Sequence, residues 1–185
     1  MKKLLATFFF AAPALALAHP GHVHSGFLSG ALHPVGGLDH ILAMLAVGLW
    51  AASFGGKARW VIPASFVGAM AVGFLLGAQG FELPLLEAGI AASVLVIGLA
   101  AAWAKQLPAA AAAIIVGAFA LFHGVAHGAE MGHGSAAAYA AGFVLTTVLL
   151  HAAGFFAGSR LGKNVWLSRT IGSAIGIAGL GLLLA

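Results

Sequence analysis

The sequence is poor in charge and contains no cysteine. Eight basic and four acidic residues among 185 amount to 6% of the chain, whereas an ordinary soluble domain carries roughly a quarter. So few charges cannot give a globule of this length a polar surface, and 62% of the residues are hydrophobic. The absence of cysteine excludes disulfides, iron–sulfur clusters and thiolate metal sites. The composition therefore predicts a membrane protein.

The first 18 residues have the pattern of a secretory signal peptide. Lys2 and Lys3 precede an apolar run, and residues 16–18 form the small-x-small pattern of a cleavage site. We therefore predict a cleaved signal peptide at 1–18, followed by a single transmembrane domain at 19–185. An uncleaved first helix is the alternative, and it leaves residue 19 on the same side of the membrane.

Apolar runs long enough to cross a bilayer recur along the rest of the chain. A span needs about 20 residues to cross roughly 30 Å of hydrocarbon. We predict an all-α polytopic membrane bundle with six transmembrane helices after the signal peptide, and no separate soluble domain. The predicted spans are 37–54, 61–79, 83–104, 109–129, 135–159 and 165–184.

The basic residues predict how the bundle is oriented, because cytoplasmic loops carry an excess of Lys and Arg. With residue 19 outside, all the cations after the signal peptide lie in or beside the three loops predicted to be cytoplasmic. Both mature termini are then periplasmic, in the bacterial cytoplasmic membrane. Spans 1–3 and 4–6 have inverted topology, which suggests a three-plus-three inverted repeat. The cations are Lys57, Arg59, Lys105, Arg160, Lys163 and Arg169.

The nine histidines contrast with this scarcity of charge, and eight of them lie on the predicted outer side. The exception is His151, in the fifth predicted span. A lone buried histidine is usually a hydrogen-bonded packing residue, and the alternative is a lower site on a metal or proton path. The eight outer residues are His19, His22, His24, His33, His40, His123, His127 and His133.

The first polar cluster lies at the start of the first predicted span. Residues 34–37 contain a proline and two glycines, so His33 is expected on irregular backbone that folds back toward the helix. Asp39 and His40 follow in the first helical turn, and Met44 shares the face of His40. Two imidazoles and a carboxylate suit a borderline divalent metal. The alternative is an acid that favours the helix N-terminus beside an interfacial histidine.

The second cluster lies at the outer end of the fourth predicted span. His123, His127 and Glu130 fall within an arc of roughly 60° on a helix. Two imidazoles one turn apart can hold one cation, and the carboxylate adds negative charge. Gly124 and Gly128 remove bulk beside this stripe, so another helix can approach, and we predict that it is the first span. The alternative is interfacial histidines that hydrogen-bond to carbonyls of neighbouring helices.

Further residues are candidate metal ligands outside the two clusters. Glu87, about a turn into the third predicted span, could supply an oxygen ligand or pair with a histidine. Met44, His133 and His151 are additional candidates. The outer tail is a candidate capture site for divalent metal, and an accidental histidine-rich tail is the alternative. The tail histidines are His19, His22 and His24.

In the two clusters, the sequence resembles the HupE/UreJ family of nickel permeases. The resemblance covers essentially the whole chain and implies a secondary transporter of Ni²⁺ or Co²⁺ that supplies hydrogenase or urease maturation. The metal would be the substrate, so no prosthetic group is expected. The matching pieces are His33-Pro34, Gly37-x-Asp39-His40 with Met44, and Phe122-His123-Gly124-x-Ala126-His127-Gly128-x-Glu130. The resemblance implies that the functional residues are His33, Asp39, His40, His123, His127 and Glu130.

Two other functions compete with transport. A metal-dependent intramembrane enzyme would keep an open coordination position, although the zincin motif H-E-x-x-H is absent from the sequence. A periplasm-facing metal sensor or buffer would need only the histidine tail. The nucleotide-binding pattern G-x-x-x-x-G-K-[ST] is also absent, so we expect no ATP hydrolysis by this chain. The expected partners are the lipid bilayer and a divalent metal ion, and not a nucleic acid.

Deleting residues 19–24 distinguishes a transporter from a sensor. If the tail only collects metal for a site in the membrane, the deletion should weaken nickel uptake at low external metal and leave it normal at high metal. Uptake of radioactive nickel, measured over a range of concentrations at equal membrane abundance, tests this expectation. Complete loss of function at every concentration would favour the sensor.

Overall fold

The computed structural model describes residues 26–103, 107–161 and 164–185, and they form seven α-helices. The predicted signal peptide, the tail histidines His19, His22 and His24, and the loop lysines Lys105 and Lys163 lie outside the described residues. The helices are α1 (Phe27–Gly36), α2 (Leu38–Ala51), α3 (Ala58–Ala78), α4 (Leu86–Trp103), α5 (Ala109–Ala129), α6 (Ala136–Leu161) and α7 (Val165–Leu184).

Helices α3 to α7 are each long and apolar enough to cross a membrane. The shortest has 18 residues and the longest 26. At 1.5 Å per residue, these lengths correspond to about 27 and 39 Å. Their bounds lie within three residues of the last five predicted spans. The chain is therefore an integral membrane protein with an all-helical fold, as its composition predicted.

The first predicted span, 37–54, contains one helix, α2, which is shorter than the prediction. α2 contains 14 residues, or about 21 Å, and is too short to cross the hydrocarbon alone. α1 precedes it, and the two axes are bent by 86°. The bundle thus has five single-helix spans, or six if the bent pair counts as one.

The prediction that His33 lies on irregular backbone is wrong. α1 continues through His33 and Pro34, and only Gly37 leaves the helical conformation, with φ −110° and ψ 128°. Pro34 lies in the last turn of α1, where two residues follow it before the helix ends. The missing proline N–H therefore limits how far the helix extends but does not prevent it from forming.

Glycines hold α3 and α5 in close parallel contact. A Cβ added to Gly124 would collide with the Met70 carbonyl oxygen, and one added to Gly77 would collide with that of Val125. In lipid no hydrophobic drive brings helices together, so close backbone packing provides much of the association. The prediction that Gly124 and Gly128 let another helix approach closely is confirmed. The prediction that Gly124 and Gly128 face the first span is wrong, because α3 presents its own glycine stripe to them.

Two further helix pairs pack in the same way. α2 runs parallel to the second half of α6, where a Cβ on Gly48 would collide with the His151 carbonyl oxygen and one on Gly154 with that of Leu45. α4 and α7 cross as antiparallel neighbours, with Gly98 beside Gly176. The predicted inverted repeat remains a prediction.

Polar residues separate to the two ends of the bundle. The junction of α1 and α2, the start of α4 and the end of α5 all lie at one end of the bundle. We call it the histidine end, and its residues are His33, Asp39, Glu87, Glu130 and His133. We call the other end the basic end, defined by the described cations Lys57, Arg59, Arg160 and Arg169.

Candidate metal centre

His40 is oriented at the start of α2 by its neighbour Asp39. Asp39 Oδ1 accepts a hydrogen bond from the His40 backbone N–H at 2.7 Å and lies 2.8 Å from His40 Nδ1. A carboxylate on one ring nitrogen fixes the tautomer and presents the other nitrogen to a metal. That second nitrogen, His40 Nε2, is buried and has no hydrogen-bond partner in the described part of the chain. Asp39 therefore orients His40, and it is not a member of the group of metal-ligating side chains found among the described residues.

His127 is fully buried on α5, two residues before the helix ends. Phe143 of α6 stacks on its ring, with centroids 4.8 Å apart and planes 6° from parallel. Neither ring nitrogen has a hydrogen-bond partner within residues 26–103, 107–161 and 164–185. A buried polar group without a partner costs about 1–3 kcal/mol and requires a reason. A bound metal ion would provide a partner for one of these nitrogens.

His33 completes a cluster of three imidazoles, which we call the histidine trio: His33, His40 and His127. One nitrogen from each residue lies within 4.8 Å of the other two. The His127 ring centroid is 4.7 Å from that of His33 and 5.0 Å from that of His40. Nitrogens bound to one ion at about 2.1 Å lie no more than roughly 4.2 Å apart. A small closing movement is therefore enough to bind an ion.

Glu130 forms the mouth of this cluster, just beyond the end of α5. Its Oε2 lies 2.9 Å from His33 Nε2, and the hydrogen bond lowers the pKa of the Glu130 carboxyl even though partial burial opposes this. The carboxylate therefore stays ionised at neutral pH. Side-chain exposure falls from 52% at Glu130 to 27% at His33 and 10% at His40. Exposure to water therefore decreases from Glu130 through His33 to His40.

His123 lies one turn deeper than His127 and is fully buried. Its ring centroid is 4.8 Å from that of His40, and its Nε2 lies 2.9 Å from Ser93 Oγ. The Ser93 hydroxyl already donates to the Ile90 carbonyl at 2.6 Å, so it accepts from His123 Nε2–H. His123 Nδ1 then carries the lone pair, and it has no partner among the described residues. The imidazole series thus continues inward from the histidine trio.

Comparison with known proteins assigns the chain to a family. A family model described as HupE / UreJ protein matches residues 6–182, which include both histidine clusters. The chain belongs to the HupE/UreJ family. It is 47% identical over 176 residues to Protein HupE of Rhizobium leguminosarum bv. viciae, covering 94% of this chain and 92% of that protein. No solved structure matches it. The resemblance drawn from the two clusters is confirmed.

The other predicted residues of this HupE/UreJ chain lie apart from the histidine trio. Met44 is fully buried in the apolar core one turn beyond His40. Glu87 and His133 are exposed at the histidine end, and neither belongs to a group of metal-ligating side chains found in the described residues. His151 is buried in α6, closer to the basic end.

Sequence reasoning missed three residues around the site. Ser93 contacts His123, Phe143 stacks on His127, and the Tyr139 ring lies 6.0 Å from that of His33. Tyr139 is the one tyrosine of the sequence, and Ser93 interrupts an apolar helix. Both were detectable as isolated polar side chains at membrane depth, where polar groups require a reason. Phe143 gave no signal, because aromatic residues are common in the apolar spans.

Proposed function

We propose that the protein imports a divalent transition metal ion, Ni²⁺ with Co²⁺ as the alternative, across the bacterial cytoplasmic membrane for hydrogenase or urease maturation. The histidine trio carries the proposal, because its three nitrogens lie within 4.8 Å of one another inside an integral membrane protein. Imidazole nitrogen suits these metals, and ionisable side chains in a membrane commonly mark ion pathways. The family resemblance supports Ni²⁺ as the first choice.

Metal capture follows from the order of exposure and charge. A hydrated cation first meets the exposed Glu130 carboxylate and then exchanges water for the nitrogens of the trio. Neutral imidazoles provide no negative charge, so Asp39 and Glu130 balance the divalent ion from behind His40 and His33. Without these carboxylates, binding a dication at this buried site would carry a large desolvation penalty.

The distribution of charge supports import as the direction of transport. The basic end would face the cytoplasm, by the excess of positive residues on that side, and both mature termini would be periplasmic. An inside-negative potential favours inward movement by about 2.3 kcal/mol per charge per 100 mV, or about 4.6 kcal/mol for a divalent ion. Import therefore needs no ATP hydrolysis by this chain.

Reconstitution tests the proposed activity directly. Purified protein in liposomes that contain a metal-sensitive dye should bring Ni²⁺ inside faster than protein-free liposomes, and an inside-negative potential should accelerate the flux. A metal-dependent enzyme or a sensor would bind nickel without moving it. Folded protein that binds nickel but produces no flux in either orientation would contradict the proposal.

Asp39→Asn should weaken metal affinity while preserving the fold. The amide keeps the shape of the side chain but loses the charge that orients and polarises His40. Loss of such an outer partner typically costs about 10–100-fold in metal affinity. The half-saturating nickel concentration for uptake measures this change. The control is Glu82→Gln, which removes an exposed carboxylate outside the trio. Its half-saturating nickel concentration should stay near that of the wild type, and a rise as large as that of Asp39→Asn would contradict the proposal.

A further inference from the structure

A cavity of about 730 Å³ lies at the basic end, between α2, α3 and α6. Its wall includes Gly48, Arg59, Pro63 and His151. His151 is 4% exposed, and neither of its ring nitrogens has a hydrogen-bond partner in the part of the chain that the structure describes. A packing histidine would normally use at least one of them. Among the lining side chains, which are mostly apolar, His151 supplies the metal-binding nitrogen.

One aromatic ring connects His151 with the imidazoles of the outer site. Phe66 of α3 is fully buried, and its ring centroid lies 5.6 Å from that of His123 and 5.1 Å from that of His151. Its ring is nearly perpendicular to His151, at 87°. The order from water inward is therefore the histidine trio, His123, Phe66, His151 and the cavity.

We propose that His151 is a metal ligand on the release side of the path, that the cavity is the vestibule facing the cytoplasm, and that the Phe66 ring closes the passage between them. This inference rests on the proposed transport function and extends it to residues outside the two histidine clusters. A single imidazole binds a divalent ion more weakly than three do. Conduction needs such weak sites, because an ion must leave as well as enter.

The natural absence of cysteine makes the inference testable by thiol labelling. His151→Cys protein is treated with a membrane-impermeant cationic methanethiosulfonate in vesicles of each orientation. The thiol should react about tenfold faster with reagent added from the basic end than with reagent added from the histidine end. Ni²⁺ should slow the reaction by binding to the thiol. The matched control is Leu149→Cys, on the same helix at an exposed, lipid-facing position. Its slow reaction should be insensitive to Ni²⁺.

Equal labelling of His151→Cys from both sides, or labelling that Ni²⁺ does not slow, would overturn the vestibule assignment. Adding Phe66→Ala to the His151→Cys background should raise labelling from the histidine end by about tenfold, because the closing ring is gone. An unchanged rate would overturn the role of Phe66.

His151→Leu provides a readout that needs no labelling. Nickel uptake should fall by about tenfold or more, whereas nickel binding to the purified protein at the histidine trio should stay at the wild-type level. Unchanged uptake, or loss of both properties, would overturn the assignment of His151 as a release-side ligand. Nickel flux into liposomes by the wild type separates the two proposals. If nickel protects the His151→Cys thiol but the wild type shows no flux, the metal ligand at position 151 is supported and only the transport function is contradicted.

Discussion

His127→Ala is expected to abolish nickel uptake. The substitution leaves two imidazoles in the trio and removes the member that is fully buried between His33, His40 and Phe143. Loss of an outer partner of a metal ligand costs about 10–100-fold in affinity, so loss of a ligand itself should exceed about 100-fold. Radioactive nickel uptake at equal membrane abundance, together with nickel binding to the purified variant, measures the effect.

His133→Ala is the matched control for this experiment. It removes the same type of side chain from the same end of the bundle, at an exposed position outside the trio. Its uptake should stay within about twofold of wild type, in the range expected of surface changes. If His127→Ala kept wild-type uptake and binding, the transport site would lie elsewhere, whatever the control showed.

Gly124→Ala should prevent stable assembly of the bundle. The added Cβ collides with the Met70 carbonyl oxygen, and its other nearest neighbours are backbone atoms of Phe74 and Gly73. Backbone cannot rotate away as a side chain can, so α3 and α5 must separate. Overpacking a tight contact costs about 1–3 kcal/mol, and a collision with backbone falls at or above the top of this range. Membrane abundance and the apparent melting temperature of the detergent-solubilised protein report the loss.

Gly117→Ala tests whether the loss of stability comes from contact or from composition. It makes the same substitution on the same helix, where a Cβ meets ordinary van der Waals neighbours at 3.8 Å and beyond. Alanine is also the better helix former by about 1 kcal/mol. Gly117→Ala should therefore match or exceed the wild type in stability. If both substitutions destabilised the protein equally, the stabilising role of Gly124 would not come from the close contact between α3 and α5.

The sequence predicted the long helices well because the thickness of the bilayer fixes their length. It did not predict α1 or the bend between α1 and α2, because the bend depends on distant contacts. α1 is held against α6 where a Cβ on Gly30 would collide with the Tyr139 carbonyl, and where Thr146 Oγ1 donates to the Ala31 carbonyl at 2.7 Å. No local pattern encodes these contacts, and by local rules alone Pro34 and its neighbouring glycines predict irregular backbone.

The candidate site was predictable in its residue types and less so in its geometry. Helical periodicity placed His123 and His127 on one stripe, and they are one turn apart on α5 in the structure. The resemblance implied that Asp39 and Glu130 are functional residues, but only the fold shows that each carboxylate contacts an imidazole of the trio. The hydrogen bond of Glu130 to His33 joins residues that are far apart in sequence, beyond the reach of motif spacing.

The histidine trio is divided between two glycine-packed parts of the bundle. His127 belongs to α5, which packs on α3, whereas His33 and His40 belong to α1 and α2, which pack on α6. Each imidazole is carried by its own part, so a displacement between the parts changes the distances between the three rings. At the proposed metal site, affinity and the relative position of the two parts are therefore thermodynamically linked. A movement that separates them weakens binding by the same factor by which bound metal opposes that movement.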